Sequence, residues 1–299
     1  MSDLIAEAQR LVSEHGSVRA ASRATGIPRS TLRSRLAAAE PRTQLTRVLV
    51  IGDVHDAPGR PKDHLRWLGQ LARERRVDRV VAIGDWGDWS SLSRHDGNST
   101  ISGKSKLSFN QDAISFEESL DAFREGLGEH RPALDFCLGN HEQRVGAWED
   151  RHPETEGMMC QRVADALTSR GWEVHPYGRL VLREGVGYVH VPLDGSGKAI
   201  SGQHADKRIA DLSTCDLVYG HTHKAAVRRF EKIGDRASVT VVNVGTSLPH
   251  GFVPDWCEDS TTGWSYGAFV LTIHEGRIEA ASQISMLDLE DQYGRRAAA

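Results

Sequence analysis

The chain has 299 residues, with 37 Lys and Arg against 41 Asp and Glu, for a net charge of −4. No stretch reaches the ~20 apolar residues that span a membrane, and the N-terminus lacks the apolar core of a signal peptide, so a cytoplasmic protein without membrane contact is expected. Cys137, Cys160, Cys215 and Cys257 form no CxxC pair, which speaks against a structural zinc site or a disulfide framework.

The charge is uneven. Residues 1–47 carry eight Arg and four acids, a charge of +4, and the remainder carries −8. A basic head on an acidic body points to a polyanion partner; a solvated arginine-rich helix face is the alternative. Leu4, Ile5, Ala8, Leu11 and Val12 recur at helical spacing. Gly16 ends that helix, Ser17 caps a second over 18–25, and Gly26 makes a turn. Pro28 opens a third helix, where its missing N–H costs little. That helix places Arg29, Ser30, Thr31, Arg33 and Arg35 on polar positions and turns Leu32 and Leu36 inward. Residues 41–46 read as a linker.

The body opens with an apolar run at 48–51, suited to a buried strand. Further strands are expected at 80–83, 133–138, 179–183, 187–192, 215–219, 226–231, 238–243 and 267–274. Helices are expected over 61–76, 111–129 and 158–169, and a polar loop over 90–108. Cys137 and Cys215 lie in apolar runs and are expected in the core.

Five motifs occur in order: Gly-Asp-Val-His at 52–55, Gly-Asp-Trp-Gly-Asp at 84–88, Gly-Asn-His-Glu at 139–142, a His in an apolar run at 190, and Gly-His-Thr-His at 220–223. Three of them directly follow predicted strands, and open α/β sheets gather ligands at the carboxyl ends of their strands. The motifs supply carboxylate, amide and imidazole groups, which suit divalent metals. Two metals about 3.5–4 Å apart clamp a phosphoryl group for in-line attack.

These blocks resemble the calcineurin-like metallophosphoesterase superfamily over residues 47–275. The resemblance implies an α/β fold, a four-layer β-sandwich flanked by helices, here preceded by a small three-helix domain. It implies two divalent ions, with Mn²⁺ expected first and Fe, Zn²⁺ or Mg²⁺ also compatible. Asp53, His55 and His223 would hold one ion, Asn140, His190 and His221 the other, and Asp85 would bridge them. A metal-bridging hydroxide would be the nucleophile. His141 would be the catalytic acid, oriented by Asp88. Val191 and Pro192 stand after His190 where the family usually has Gly, so His175 and His204 are alternative ligands.

Several neighbours are open to two readings. Glu142 is either a support for the ligands or a helix cap. Arg144 either binds a phosphate oxygen or lies on an exposed helix. The indoles of Trp86 and Trp89 either stack on a flat leaving group or pack in the core. The Ser/Thr phosphatases of the superfamily show Arg-Gly where this chain has Trp89-Ser90, and Gly where it has Asp56, which argues against that branch.

Residues 16–38 resemble a helix-turn-helix of the Fis or Pipsqueak type: Ala20-Ala21, Gly26-Ile27, Ser30-Thr31-Leu32 and Arg35-Leu36. The resemblance implies DNA contact by Arg29, Ser30, Thr31 and Arg33, from a recognition helix in the major groove. A cap on the body or a homodimer contact is the alternative. The expected division is 1–42 for DNA binding and 47–290 for the metallophosphoesterase. The expected function is a two-metal phosphodiesterase or nuclease acting on nucleic acid. The alternatives are a phosphomonoesterase or small cyclic-nucleotide phosphodiesterase, and a DNA-binding regulator with an inactive body.

Overall fold

The computed structural model describes residues 2–32, 45–93, 108–233, 238–257 and 263–294. It divides into two compact units, Met1–Leu45 and Thr46–Ala299. In the first unit, α1 (Ser2–His15) and α2 (Val18–Thr25) form where the helical spacing places them. The Ser17 hydroxyl accepts a hydrogen bond from the Ala20 N–H at 3.1 Å, satisfying one of the open donors of α2. Gly26 ends α2 at φ 75°, a left-handed conformation that glycine adopts without a Cβ clash. Helix resumes at 29–32. Ala8, Leu11, Ala21 and Leu32 are buried together. Arg29 and Ser30 are exposed and Thr31 is half-buried. Arg33, the rest of the expected third helix, most of the 90–108 loop and residues 295–299 lie outside the described residues.

The second unit runs β1 (Thr46–Ile51), α3 (Asp63–Glu74), β2 (Arg79–Ala82), α4 (Phe109–Leu127), β3 (Ala133–Cys137), α5 (Gln143–Glu149), α6 (Met158–Thr168) and β4 (Trp172–His175). It continues through β5 (Val181–Arg183), β6 (Val186–Tyr188), α7 (Ala205–Leu212), β7 (Leu217–Tyr219), β8 (Ala225–Glu231), β9 (Ser238–Val244), β10 (Gly267–His274), β11 (Arg277–Ser285) and α8 (Met286–Leu289). One sheet has the order β11-β10-β1-β2-β3-β4 and the other β5-β6-β7-β9-β8. The strands β1 to β4 are mutually parallel, as are β6, β7 and β9.

Strand alternation builds the layers. Val48 and Val50 of β1 face the second sheet and pack with Val186, Tyr188, Val218 and Val242. Leu49 and Ile51 point the other way, onto Leu65 and Leu68 of α3, Phe116 of α4 and Leu167 of α6. On the far side of the second sheet, Ile209 and Ala210 of α7 cover Leu217, Tyr219 and Val241. The result is the expected four-layer arrangement of two sheets between helices. No helix among the described residues is long and apolar enough to cross a membrane.

Several elements were not expected, the short helix α8 among them. Strand β4 is four residues long, too short to show a period. Strand β11 lies at a sheet edge, where most of its side chains are only partly buried or exposed, so it needs no apolar alternation. Helix α7 buries one side beneath a charged face. Cys137 is buried as expected, whereas Cys215 is only half-buried.

Helices α3 and α4 meet through two glycines. A Cβ at Gly69 would lie 2.2 Å from the Phe123 carbonyl oxygen, and one at Gly126 would lie 2.0 Å from that of Arg66. Overpacking of this kind costs about 1–3 kcal/mol. Gly126→Ala is therefore expected to lower the thermal midpoint of the second unit, by about 2–4 °C for each kcal/mol lost. Scanning calorimetry checks this; an unchanged midpoint would mean that the helices separate freely.

Candidate metal centre

Every motif leaves the carboxyl end of a parallel strand. Asp53 follows β1, Asp85 follows β2, Asn140 and His141 follow β3, His190 follows β6, and His221 and His223 follow β7. The parallel ladder continues past the strand ends into the loops. The Asp53 N–H donates to the Gly84 carbonyl at 3.1 Å, His55 to Asp85 at 2.8 Å, and Asp56 to Trp86 at 2.7 Å. Nine non-glycine residues among those described have positive φ, and five of them are Asp53, His55, Asp85, His221 and His223, at φ 46–71°. Asp and His tolerate this region better than most residues, but it still stores strain, and such strain clusters at functional sites.

Glu142 holds the loops in place. Its buried carboxylate accepts the N–H groups of Asp85, Gly87 and Gly139 at 2.8, 3.0 and 2.9 Å. It makes no side-chain cap to α5, so the supporting role is the one observed. Two glycines make room for the carboxylates: a Cβ at Gly139 would lie 2.1 Å from Asp85 Oδ1, and one at Gly220 would lie 2.4 Å from Asp53 Oδ2. Asp56, where the phosphatases carry Gly, is buried and hydrogen-bonded by Ser115 at 2.7 Å and by Lys62, so it ties this loop to α4.

The converging atoms form two groups. In the first, the Nε2 atoms of His55 and His223 are 3.0 Å apart, and His223 Nε2 is 3.2 Å from Asp53 Oδ1. In the second, Asn140 Oδ1 is 2.9 Å from His190 Nε2 and 2.8 Å from His221 Nδ1, and His190 Nε2 is 3.3 Å from Asp85 Oδ2. Asp85 belongs to a set with His190 and His221 and to another with His55 and His141, each set within 4.8 Å. Atoms about 2.1 Å from one cation at right angles would themselves be about 3 Å apart, so the spacing fits a divalent ion in each group. His190 Nδ1 donates to the Ile83 carbonyl at 2.9 Å, which turns Nε2 inward toward Asn140 and Asp85.

Of the three His considered for this position, only His190 joins the cluster. His175 pairs with Asp135 at 2.8 Å, and His204 precedes α7. The set Asp135, Glu173 and His175 also has metal-like spacing. Arg79 and Arg183 already neutralise Asp135 there, so that set is an ion-pair network.

His141 lies beside the two groups. Its Nδ1 is 3.1 Å from Asp88 Oδ1, and its Nε2 is 2.9 Å from a guanidinium nitrogen of Arg144. Arg144 also donates to the Asp88 carbonyl at 2.9 Å. Burial disfavours charge on His141, but the charge of Asp85 and the hydrogen bond to Asp88 outweigh it and raise its pKa. Asp85 responds the opposite way: burial pushes it up, yet the neighbouring His190 and His141 hold it well below the carboxylate range.

A family model described as Calcineurin-like phosphoesterase matches residues 46–225. The chain belongs to this family. A calcineurin-like phosphoesterase hydrolyses phosphate esters, and its Asp and His clusters suit divalent metals. Among solved structures, Yfce, a phosphoesterase from E. coli, is 15% identical, with 80% of this chain and 100% of that chain covered and a TM-score of 0.36. Vps29 complexed with Zn²⁺ from Entamoeba histolytica is 14% identical, with 81% and 99% covered and a TM-score of 0.33. No curated protein matches.

The centre of this phosphoesterase opens into a cavity of about 650 Å³ lined by His55, Asp85, Asn140, His141, Arg144 and Trp256, among others. Trp86 and Trp89 are absent from it. Both are 1% exposed. Trp86 donates to Ser119 Oγ at 2.8 Å, and Trp89 stacks on Phe109, so the stacking reading for these two is corrected. Asp85 occupies the rim, and the next residue turns to the helix side. Arg144 lines the cavity, so its exposed-helix reading is also corrected. Sequence reasoning missed Trp256 and Trp264, which also line the cavity. Their signal was position, in the stretch after a parallel strand, β9.

Asp85→Asn is expected to remove most bound metal and most hydrolysis, because a neutral amide cannot offset two dications. Elemental analysis after dialysis with Mn²⁺ checks this separately from turnover. Unaltered metal content would remove Asp85 from the centre.

Proposed function

We propose that this phosphoesterase is a two-metal phosphodiesterase that cleaves nucleic acid. The observation that carries the chemistry is the pair of ligand groups joined through Asp85, with His141 and Asp88 alongside in an open cavity. Asp53, His55 and His223 would hold one ion, Asn140, His190 and His221 the other, and Asp85 both. When bound, the ions supply Lewis-acid charge and lower the pKa of water. Mn²⁺ is the ion we favour, since the oxygen and imidazole donors suit it.

The protein's own residues would do the rest. Asp88 fixes the His141 ring through its main-chain carbonyl, 2.8 Å from Nδ1, with its carboxylate 3.1 Å away, so Nε2 is the atom that would meet the leaving oxygen and give it a proton. Arg144 lies on that side, 2.9 Å from Nε2. An incoming phosphodiester would draw the guanidinium onto a non-bridging oxygen and leave His141 free to carry a proton. Arg144→Gln is thus expected to raise KM for a diester by about tenfold or more, the worth of a charge-assisted hydrogen bond, with a smaller change in kcat. Steady-state kinetics checks this, and an unchanged KM would place Arg144 outside the phosphate site.

The polymer substrate rests on the first unit. Ser17-capped α2, the left-handed Gly26 and the helical start at 29–32 fit a helix-turn-helix, with Arg29, Ser30 and Thr31 near the start of the reading helix. Arg33 belongs to the same proposed surface by sequence. The test compares Mn²⁺-dependent hydrolysis of bis-p-nitrophenyl phosphate with that of p-nitrophenyl phosphate, beside labelled single- and double-stranded DNA. Preference for the diester with DNA cleavage is expected. Deletion of residues 1–42 should weaken DNA binding and spare the aryl diester. Preference for the monoester with intact DNA would favour a phosphomonoesterase. Loss of aryl hydrolysis on deletion would make the first unit a structural cap.

A further inference from the structure

The lining of the cavity is of two kinds: polar and charged groups such as Arg144, Ser90 and Thr222, and the two indoles of Trp256 and Trp264. Trp256 is 49% exposed, and among the described residues it is the one aromatic side chain in the exposed large hydrophobic group. Its ring centroid lies 5.4 Å from that of His55, 6.0 Å from His141 and 6.2 Å from His223. Trp264 backs it at 5.9 Å and meets the His223 ring edge-on at 4.2 Å. A broad apolar face therefore stands open to water directly beside the phosphate site. Buried tryptophans stabilise a core, but an indole held half-open at a charged rim gains its burial only when a flat ligand covers it.

From this arrangement we infer that Trp256, supported by Trp264, is a stacking platform for a nucleobase next to the scissile phosphate, which directs the centre to unpaired strands. The inference rests on the phosphodiesterase reading and names the substrate feature that it would recognise. Stacking on an aromatic side chain is tolerant of base identity, because every base has a π-face. In a duplex both faces of a base are already covered by its neighbours, so this platform takes bases at ends, in loops or in single strands. The phosphate would lie towards Arg144 and His141, and the base towards Trp256, whose ring centroid is 6.0 Å from that of His141. The platform gives the orientation and the ligand groups give the chemistry.

The test uses the full chain and two diesters with the same leaving group, thymidine 5′-(p-nitrophenyl phosphate) and methyl p-nitrophenyl phosphate. The wild type should prefer the nucleoside ester. Trp256→Ala should reduce the ratio of the two kcat/KM values by about tenfold, mostly through KM, in line with the worth of one base stack. Trp256→Phe should retain most of the preference, which separates stacking from a folding defect. Calorimetric binding of thymidine 5′-monophosphate, with inorganic phosphate as the reference, reads the platform without hydrolysis. A ratio and a nucleotide affinity that ignore Trp256→Ala overturn the inference. Affinity that depends on Trp256 in a protein that hydrolyses neither diester would uphold the platform and sink the phosphodiesterase reading instead.

Discussion

Two carboxylates set the terms for the rest of the molecule. Asp53 and Asp85 are 0% and 2% exposed, and neither is paired with Lys or Arg among the described residues. Removing an ion from water costs several kcal/mol even after the protein relaxes. Among the described residues, imidazole rings and backbone N–H groups offset that cost. Burial opposes the charge on Asp53, yet the hydrogen bond from His223 and its charge keep the carboxyl below its ordinary range. The sheets, the glycines at 139 and 220, and Glu142 together hold that unfavourable arrangement in place.

The two sheets explain why the ligands can come from both halves of the second unit. Parallel strands β1, β2 and β3 deliver three loops from one sheet, and β6 and β7 deliver two from the other. Packing through Val50, Val81, Tyr188 and Val218 brings the two sets of strand ends to one rim. The hydrophobic contact between sheets is thus also what sets the distance between the two ligand groups. Gly126 lies on the opposite, helix-covered side of the first sheet, so a fault there should act on stability before it acts on the centre.

Much of this could be read from the residues. Apolar runs such as 48–51 marked the central strands because a strand buried on both faces has little room for polar residues. The motif order then placed Asp53, His55, Asp85, Asn140, His221 and His223 at the strand ends, and the structure brings all of them together. His190 was harder to read because Val191 and Pro192 follow it; the hydrogen bond from its ring to Ile83 settles its place in the cluster. Long-range consequences could not be read. Nothing local in Trp86 and Trp89 says that they turn to the helix layer, and nothing local in Trp256 says that β9 ends beside β7. Strand β11 was hidden because it pairs with β10 at the sheet edge, where most of its side chains are only partly buried or exposed and no apolar alternation is required.

The left-handed backbone at Asp53, His55, Asp85, His221 and His223 has a consequence for how the centre could be loaded. At Asp53, His55 and Asp85 those torsions are held by the hydrogen bonds between loops and by Glu142, and at all five positions they turn donor atoms toward one another. Carboxylate, amide and imidazole donors accept several cations of similar radius, and which of them occupies the centre becomes a matter of supply and exchange rate rather than of shape.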